Sequence, residues 1–168
     1  MYIPPGPARP DEAAILNWRD QLARARDRVA GRPWDPRWIG LDDASTEQVI
    51  GLIERGDKTG TFTLPWILDA TGQAMPAAGD LIVLVDFRGQ PRLLLQLTAV
   101  TVVRFGAVGA QHTAIDGTPV RRLDIWRPLH TRYWNELLEP FGRGVEDDMP
   151  VLVERFVMVT KNQTDSRA

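Results

Sequence analysis

Gly56-Asp57-Lys58-Thr59-Gly60-Thr61-Phe62-Thr63-Leu64-Pro65-Trp66 joins a helical pattern to a β-rich one and gathers an ammonium, three hydroxyls and an indole. Upstream, Ser45 with Gln48 makes a capping-box pattern ahead of Val49, Ile50, Leu52 and Ile53, which predicts a helix from Ser45 to Arg55. Gly56 ends that helix, and a cation just beyond it meets the helix dipole. Lys58 is one of only two lysines; arginine carries the remaining positive charge. Lysine is the cation whose proton affinity shifts most readily on burial, so it suits a base or proton carrier. Taken alone, these residues favour the plainer reading, a helix C-terminal cation. In a regular strand Lys58 and Thr61 would point to opposite faces. Convergence requires a kink, which Gly60 can supply, although a glycine also marks close packing.

Beyond this stretch, Thr71 to Gly79 reads as a long turn region. Leu81 to Val85 is an unbroken apolar run and predicts a strand buried on both faces. Arg88-Gly89-Gln90-Pro91 closes a hairpin, and the return strand runs from Leu93 to Val103. Phe105 to Val108 forms a short element, and residues 109–121 read as loop. From Asp124 to Phe141, Ile125, Leu129, Tyr133, Leu137 and Phe141 make a helical stripe, widened by Trp126, Trp134 and Leu138. Pro128 restricts the start of this helix to the neighbourhood of Asp124. Residues 150–159 form the last strand.

Before the opening stretch, a proline-rich arm (residues 1–10) leads into a helical pattern from Asp11, with Ile15, Trp18, Leu22 and Val29 on one side. That helix is expected to end near Gly31. Trp34 to Gly40 reads as irregular, with its tryptophans pinning a loop to the core and base stacking as their secondary role. The fold class is therefore α+β. Residues 1–44 form an arm and a helix packed on the domain, residues 45–160 the domain itself, with strands that curl into a barrel, and residues 161–168 a disordered tail.

Composition narrows the function. The 168 residues are 43% hydrophobic and 25% charged, ordinary for a globular protein. Without cysteine there are no disulfides or thiolate metal sites, and two histidines are too few for a metal cluster. No structural metal and no cofactor is expected. No apolar run approaches the roughly 20 residues that span a bilayer, and a cytoplasmic location is the default. A net charge of −2 argues against a highly basic nucleic-acid binder. Arginines do gather in the middle third, among them Arg104, Arg121, Arg122 and Arg127. Any RNA binding there is expected to be modest, local and salt-sensitive. Nothing in the sequence sets an oligomeric state.

The order of several motifs resembles the ASCH domain family, which is similar in fold to the PUA domain of RNA-modifying enzymes. They are Gly56-x-Lys58-Thr59-x-Thr61, Gly79-Asp80, Asp86-x-x-Gly89-x-Pro91, Phe105-x-x-Val108, Trp126-x-x-x-His130-x-x-Tyr133, and Asp148-Met149-Pro150-Val151 with Glu154-x-Phe156. The resemblance covers about Ser45 to Thr160. It implies a PUA-like β-barrel with flanking helices and a cleft that accepts RNA or a modified nucleoside, to which this chain adds an N-terminal helical extension that the smallest amidohydrolases lack. Some family members are amidohydrolases acting on N4-acetylcytidine and some are ribonucleases. The amidohydrolases' catalytic lysine and threonine fall on Lys58 and Thr61. Their glutamate falls on Asp116, whose side chain is one methylene shorter and which Gly117 follows.

The resemblance thus implies a metal-independent hydrolase in which Lys58 takes the Thr61 hydroxyl proton, the threonine attacks an acyl carbonyl, and Asp116 assists the leaving nitrogen. Thr59, Thr63, Trp66, Arg121 and Arg122 are the candidate substrate-binding residues. Trp66 either stacks on a base or covers the core. His130, a rival base, reads better as a structural histidine mid-helix, and His112 as a surface residue. The alternative is a non-catalytic RNA-binding module in which Lys58 and the arginines hold phosphates. Convergence of Lys58, Thr61 and Asp116 in one pocket favours catalysis, and a flat basic surface favours binding. A cleft lysine is expected to contribute little to stability.

Overall fold

The computed structural model describes residues 6–25, 29 and 32–162. Five strands form one sheet, and helices cover both of its faces. In chain order the elements are α1 (Glu12–Ala25), β1 (Trp34–Arg37), α2 (Asp43–Glu54), β2 (Gly60–Thr63), α3 (Pro65–Ala70), β3 (Leu81–Val85), β4 (Pro91–Arg104), α4 (Ala110–Thr113), α5 (Leu123–Leu138) and β5 (Pro150–Lys161). The predicted stop of the first helix at Gly31 and the end of the tail lie outside the described residues.

The apolar run of β3 is buried at every position because each face has its own cover. Side chains alternate along a strand. Leu81, Val83 and Val85 pack with Ile15 and Trp18 of α1, while Ile82 and Leu84 pack with Ile50 and Ile53 of α2. β3 and β4 pair antiparallel around the predicted turn, and β4 pairs with β5 along most of its length. A third cluster unites α3, α5 and the start of β5 around Trp126, which is fully buried. Among the described residues no helix is long and apolar enough to cross a membrane.

Three expectations need correction. Trp34 to Arg37 is not irregular: it is β1, parallel to β3 at the edge of the sheet. Pro36 read as a breaker, but a proline without an N–H is tolerated in an edge strand. Trp34 is buried all the same. The helix cap is Asp42, not Ser45: the Asp42 carboxylate accepts the Ser45 N–H at 2.7 Å and the Ser45 hydroxyl accepts the Asp42 N–H at 2.9 Å. The capping box is real but lies three residues earlier in the helix frame.

The third correction concerns the barrel. The strand order is β1-β3-β4-β5-β2, and β1 and β2 are edges that do not pair with each other among the described residues. The sheet curls far enough for Arg37, at the end of β1, to reach Glu154 of β5 at 2.6 Å. It stops short of closing because β1 is four residues long and carries Pro36, and side chains from both edges occupy the seam. Short helix α4 falls where the sequence reads as loop, and short helix α3 starts at Pro65 directly after β2.

The end of α2 follows its sequence signal. Gly56 adopts φ +76°, its N–H bonds to the Ile53 carbonyl at 3.0 Å, and the Asp57 N–H bonds to Leu52 at 2.8 Å. This is the Schellman pattern, which requires a left-handed residue at Gly56. Gly56→Ala is expected to cost about 1 kcal/mol in urea denaturation, and Gly56→Asn less, because asparagine tolerates that conformation.

Candidate functional site

Lys58 does not belong to β2. Its N–H bonds to the Leu52 carbonyl at 3.2 Å, and the next residue, Thr59, donates to Ile115 at 2.9 Å. The helix end and the 109–121 segment therefore hold Lys58 from two sides. Strand alternation does not constrain it, which is why Lys58 and Thr61 line the same cavity without a left-handed kink at Gly60. Gly60 answers a packing need instead: an added Cβ would lie 2.4 Å from the Glu154 carbonyl oxygen.

Asp116 is brought opposite by the segment before α5. Its N–H bonds to the Thr113 carbonyl at 2.9 Å, and the Thr113 hydroxyl donates to the Arg121 carbonyl at 2.7 Å. The Lys58 ammonium donates directly to the Asp116 carboxylate, which also accepts the Gly117 N–H. The shorter carboxylate thus still reaches the lysine. Both residues are buried, Lys58 at 5% exposure and Asp116 at 6%.

Around this pair lies a cavity of about 260 Å³, lined by Thr61, Thr63, Phe62, Tyr133, Trp134 and His130, with Arg37 and Trp38 from the opposite sheet edge. A volume somewhat below the roughly 300–1,000 Å³ of drug-sized sites suits one nucleobase or nucleoside. A second cavity of about 570 Å³ adjoins it and shares Arg37, Trp38, Phe62, Thr63, Tyr133 and Trp134.

His130 stacks on Trp126 with ring centroids 4.1 Å apart and meets Phe62 and Trp134 edge-on. Burial pushes its imidazole down to about 4; Lys58 adds to that shift, while the Trp126 carbonyl and Asp116 oppose it. The Trp126 oxygen can only accept, so Nδ1, at 2.9 Å, carries the proton and Nε2 keeps a lone pair. The ring is structurally held, and it also lines the cavity.

The structure brings Lys58, Thr61, Thr63 and Asp116 together, and leaves four candidates outside the residues that line this cavity. Thr59 is exposed. Trp66 lies against the α5 core with the Arg143 guanidinium 4.2 Å above its ring, so it covers the core and does not face the cleft. Arg121 donates to the Asp57 carbonyl at 2.8 Å, and Arg122 pairs with Asp124 at 2.6 Å on the surface. His112 accepts the Gly109 N–H through Nδ1. Among the described residues no three His, Cys, Asp or Glu side chains gather as a metal site requires.

Sequence reasoning missed Arg37 and Tyr133 as cleft residues, and Glu154 as the buried partner of Arg37. Glu154 did carry a signal: a carboxylate inside the apolar run Val151-Leu152-Val153-Glu154-Arg155-Phe156. It is fully buried, and Thr61 of β2 lies directly opposite it.

The family model described as ASCH domain matches residues 37–160. An ASCH domain from Lactobacillus crispatus JV V101 has a similar solved structure, with TM-score 0.79 and 21% identity over 96% of this chain and 100% of that one. Protein EF3133 from Enterococcus faecalis V583 is also similar in fold, with TM-score 0.72 and 21% identity over 94% of this chain and 96% of that one. No curated protein matches the chain.

Proposed function

Since this chain belongs to the ASCH domain family, we propose that it binds a modified nucleoside in the 260 Å³ cavity and hydrolyses an acyl amide on its base without a metal. One observation carries this reading: Lys58, Thr61 and Asp116 share a half-open pocket with aromatic walls, not a flat basic surface. Phe62, Tyr133 and Trp134 offer ring surfaces to a base, and the His130 lone pair offers an acceptor. The Thr61 oxygen attacks the acyl carbon, and the hydroxyl proton passes through the Lys58–Asp116 pair to the departing nitrogen. A threonine ester and a free amine result, and water then cleaves the ester to the carboxylic acid and restores the hydroxyl. The cysteine-free composition suits a cytoplasmic enzyme.

A second reading, favoured by the adjoining 570 Å³ cavity, is an RNA whose terminal nucleotide enters the pocket while its neighbours lie alongside. Incubation with N4-acetylcytidine tests the first reading. Cytidine and acetate are the expected products, and Thr61→Val should lower turnover by several orders of magnitude while nucleoside binding persists. Unchanged turnover in that variant would remove Thr61 from the chemistry. Absence of nucleoside binding by the native protein would sink the reading as a whole.

A further inference from the structure

Arg37 stands at the junction of the two cavities, at the last residue of β1. Its Nε donates to Asp35 at 2.8 Å and its Nη1 to Glu154 at 2.6 Å. Its Nη2 finds no acceptor among the described residues, and its side chain keeps 17% exposure. Glu154 is fully buried, and its second oxygen, Oε1, takes no hydrogen bond among the described residues. Burying a carboxylate in this way is costly unless its partner is fixed. The cost is borne where the β1 edge reaches across to β5, beside Thr61 of the other edge strand.

We infer that Arg37 reads the ligand through its free Nη2 edge, that Glu154 is the positioning residue that aims it, and that the ligand it takes is a neutral, carbonyl-bearing ring and not a phosphate. The inference rests on the nucleoside reading above and narrows it. The two carboxylates of Asp35 and Glu154 outweigh the single guanidinium charge. Lys58 is balanced one-to-one by Asp116, and His130 is neutral at physiological pH. The cleft therefore presents hydrogen bonds without net positive charge. A dianionic phosphate would lose its hydration there with no surplus cation to replace it. A ring carbonyl accepts from the planar Arg37 fork, and an amino group on the same ring can donate to His130 Nε2.

The test compares cytidine with cytidine 5′-monophosphate by calorimetric titration, on the native protein, Glu154→Gln and Arg37→Lys. The native protein should bind the nucleoside at least tenfold more tightly than the nucleotide. Glu154→Gln removes the carboxylate that aims the guanidinium and leaves Asp35 as its one remaining counter-charge among the described residues, so nucleoside affinity should fall about tenfold or more while nucleotide affinity rises. Arg37→Lys keeps the cation beside Glu154 and so keeps the fold, yet loses the fork. It should lose nucleoside affinity to a similar degree without gaining the nucleotide. Tighter binding of the nucleotide by the native protein overturns the inference and leaves the cleft reading intact. So does an unchanged preference in Glu154→Gln. If the native protein takes up neither ligand, the nucleoside reading fails and the inference with it.

Discussion

Lys58→Ala is expected to destabilise the fold by about 3–5 kcal/mol, the cost of stranding one member of a buried ion pair. The sequence alone suggests the opposite, since a lysine in a cleft contributes little packing. Burial reverses that expectation: at 5% exposure the ammonium is sealed in with Asp116. Truncation leaves the Asp116 carboxylate in the interior with, among the described residues, the Gly117 N–H at 3.1 Å to hold it. Neutralising both partners removes the stranded charge, so Lys58→Met combined with Asp116→Asn should recover much of the loss. Urea denaturation of the two single variants and the double variant measures the coupling directly. A loss below about 1 kcal/mol in Lys58→Ala would mean that the pair is hydrated in solution. Lost activity in a Lys58 variant therefore says little about chemistry until its stability is known, and Thr61→Val is the cleaner probe.

Acidification should reveal His130. Its imidazole sits at about 4 in the folded protein against 6.5 when unfolded. At pH 7 both states are neutral and the residue contributes nothing to pH dependence. Below pH 6.5 the unfolded chain binds a proton that the native protein refuses until about pH 4. Stability therefore falls as pH drops through that window, by about 3 kcal/mol in all. Carboxylates elsewhere titrate too, but they do so equally in a His130→Gln variant. The stability difference between native protein and variant should thus shift by about 3 kcal/mol between pH 7 and pH 4. Equal pH slopes in the two proteins would show that the ring is hydrated. The charged groups that act on it from neighbouring elements are Lys58 and Asp116, so the same experiment in the Lys58→Met, Asp116→Asn background should change the window only modestly.

Local chemistry made much of the fold legible. The β3 run, the turn at Gly89, the Gly56 stop and the α5 stripe are all short-range signals, and each appears at or within a few residues of its expected place. What escaped depends on distance along the chain. β1 gains its partner 47 residues later, when Trp34 meets Leu81, and no local pattern announces a proline-bearing parallel edge. The candidate site divides in the same way. Lys58, Thr61 and Asp116 were found through a resemblance in motif order, not through periodicity. Trp66, Arg121 and Arg122 were chosen by residue type alone, and competing partners had already claimed them: the core and Arg143 for the indole, the Asp57 carbonyl and Asp124 for the guanidiniums. Arg37 and Glu154 lie 117 residues apart, and only the curl of the sheet joins them.

That curl leaves a seam closed by side chains and not by a backbone ladder, and evolution can work on it cheaply. A substitution at Trp38, Phe62 or Thr63 alters the shape and polarity of both cavities at once. The hydrogen-bonded register between β3, β4 and β5 stays as it is. At Thr63 ligand preference is thereby separated from core packing, whereas Phe62 also packs edge-on against Trp126 and Trp38 donates to the Thr46 hydroxyl. Arg37 and Glu154 carry a double role too, because a change in what the cleft recognises there also tugs on an ion pair that ties β1 to β5. Lineages carrying this fold should accordingly diversify their ligands through hydroxyl positions such as Thr63 first.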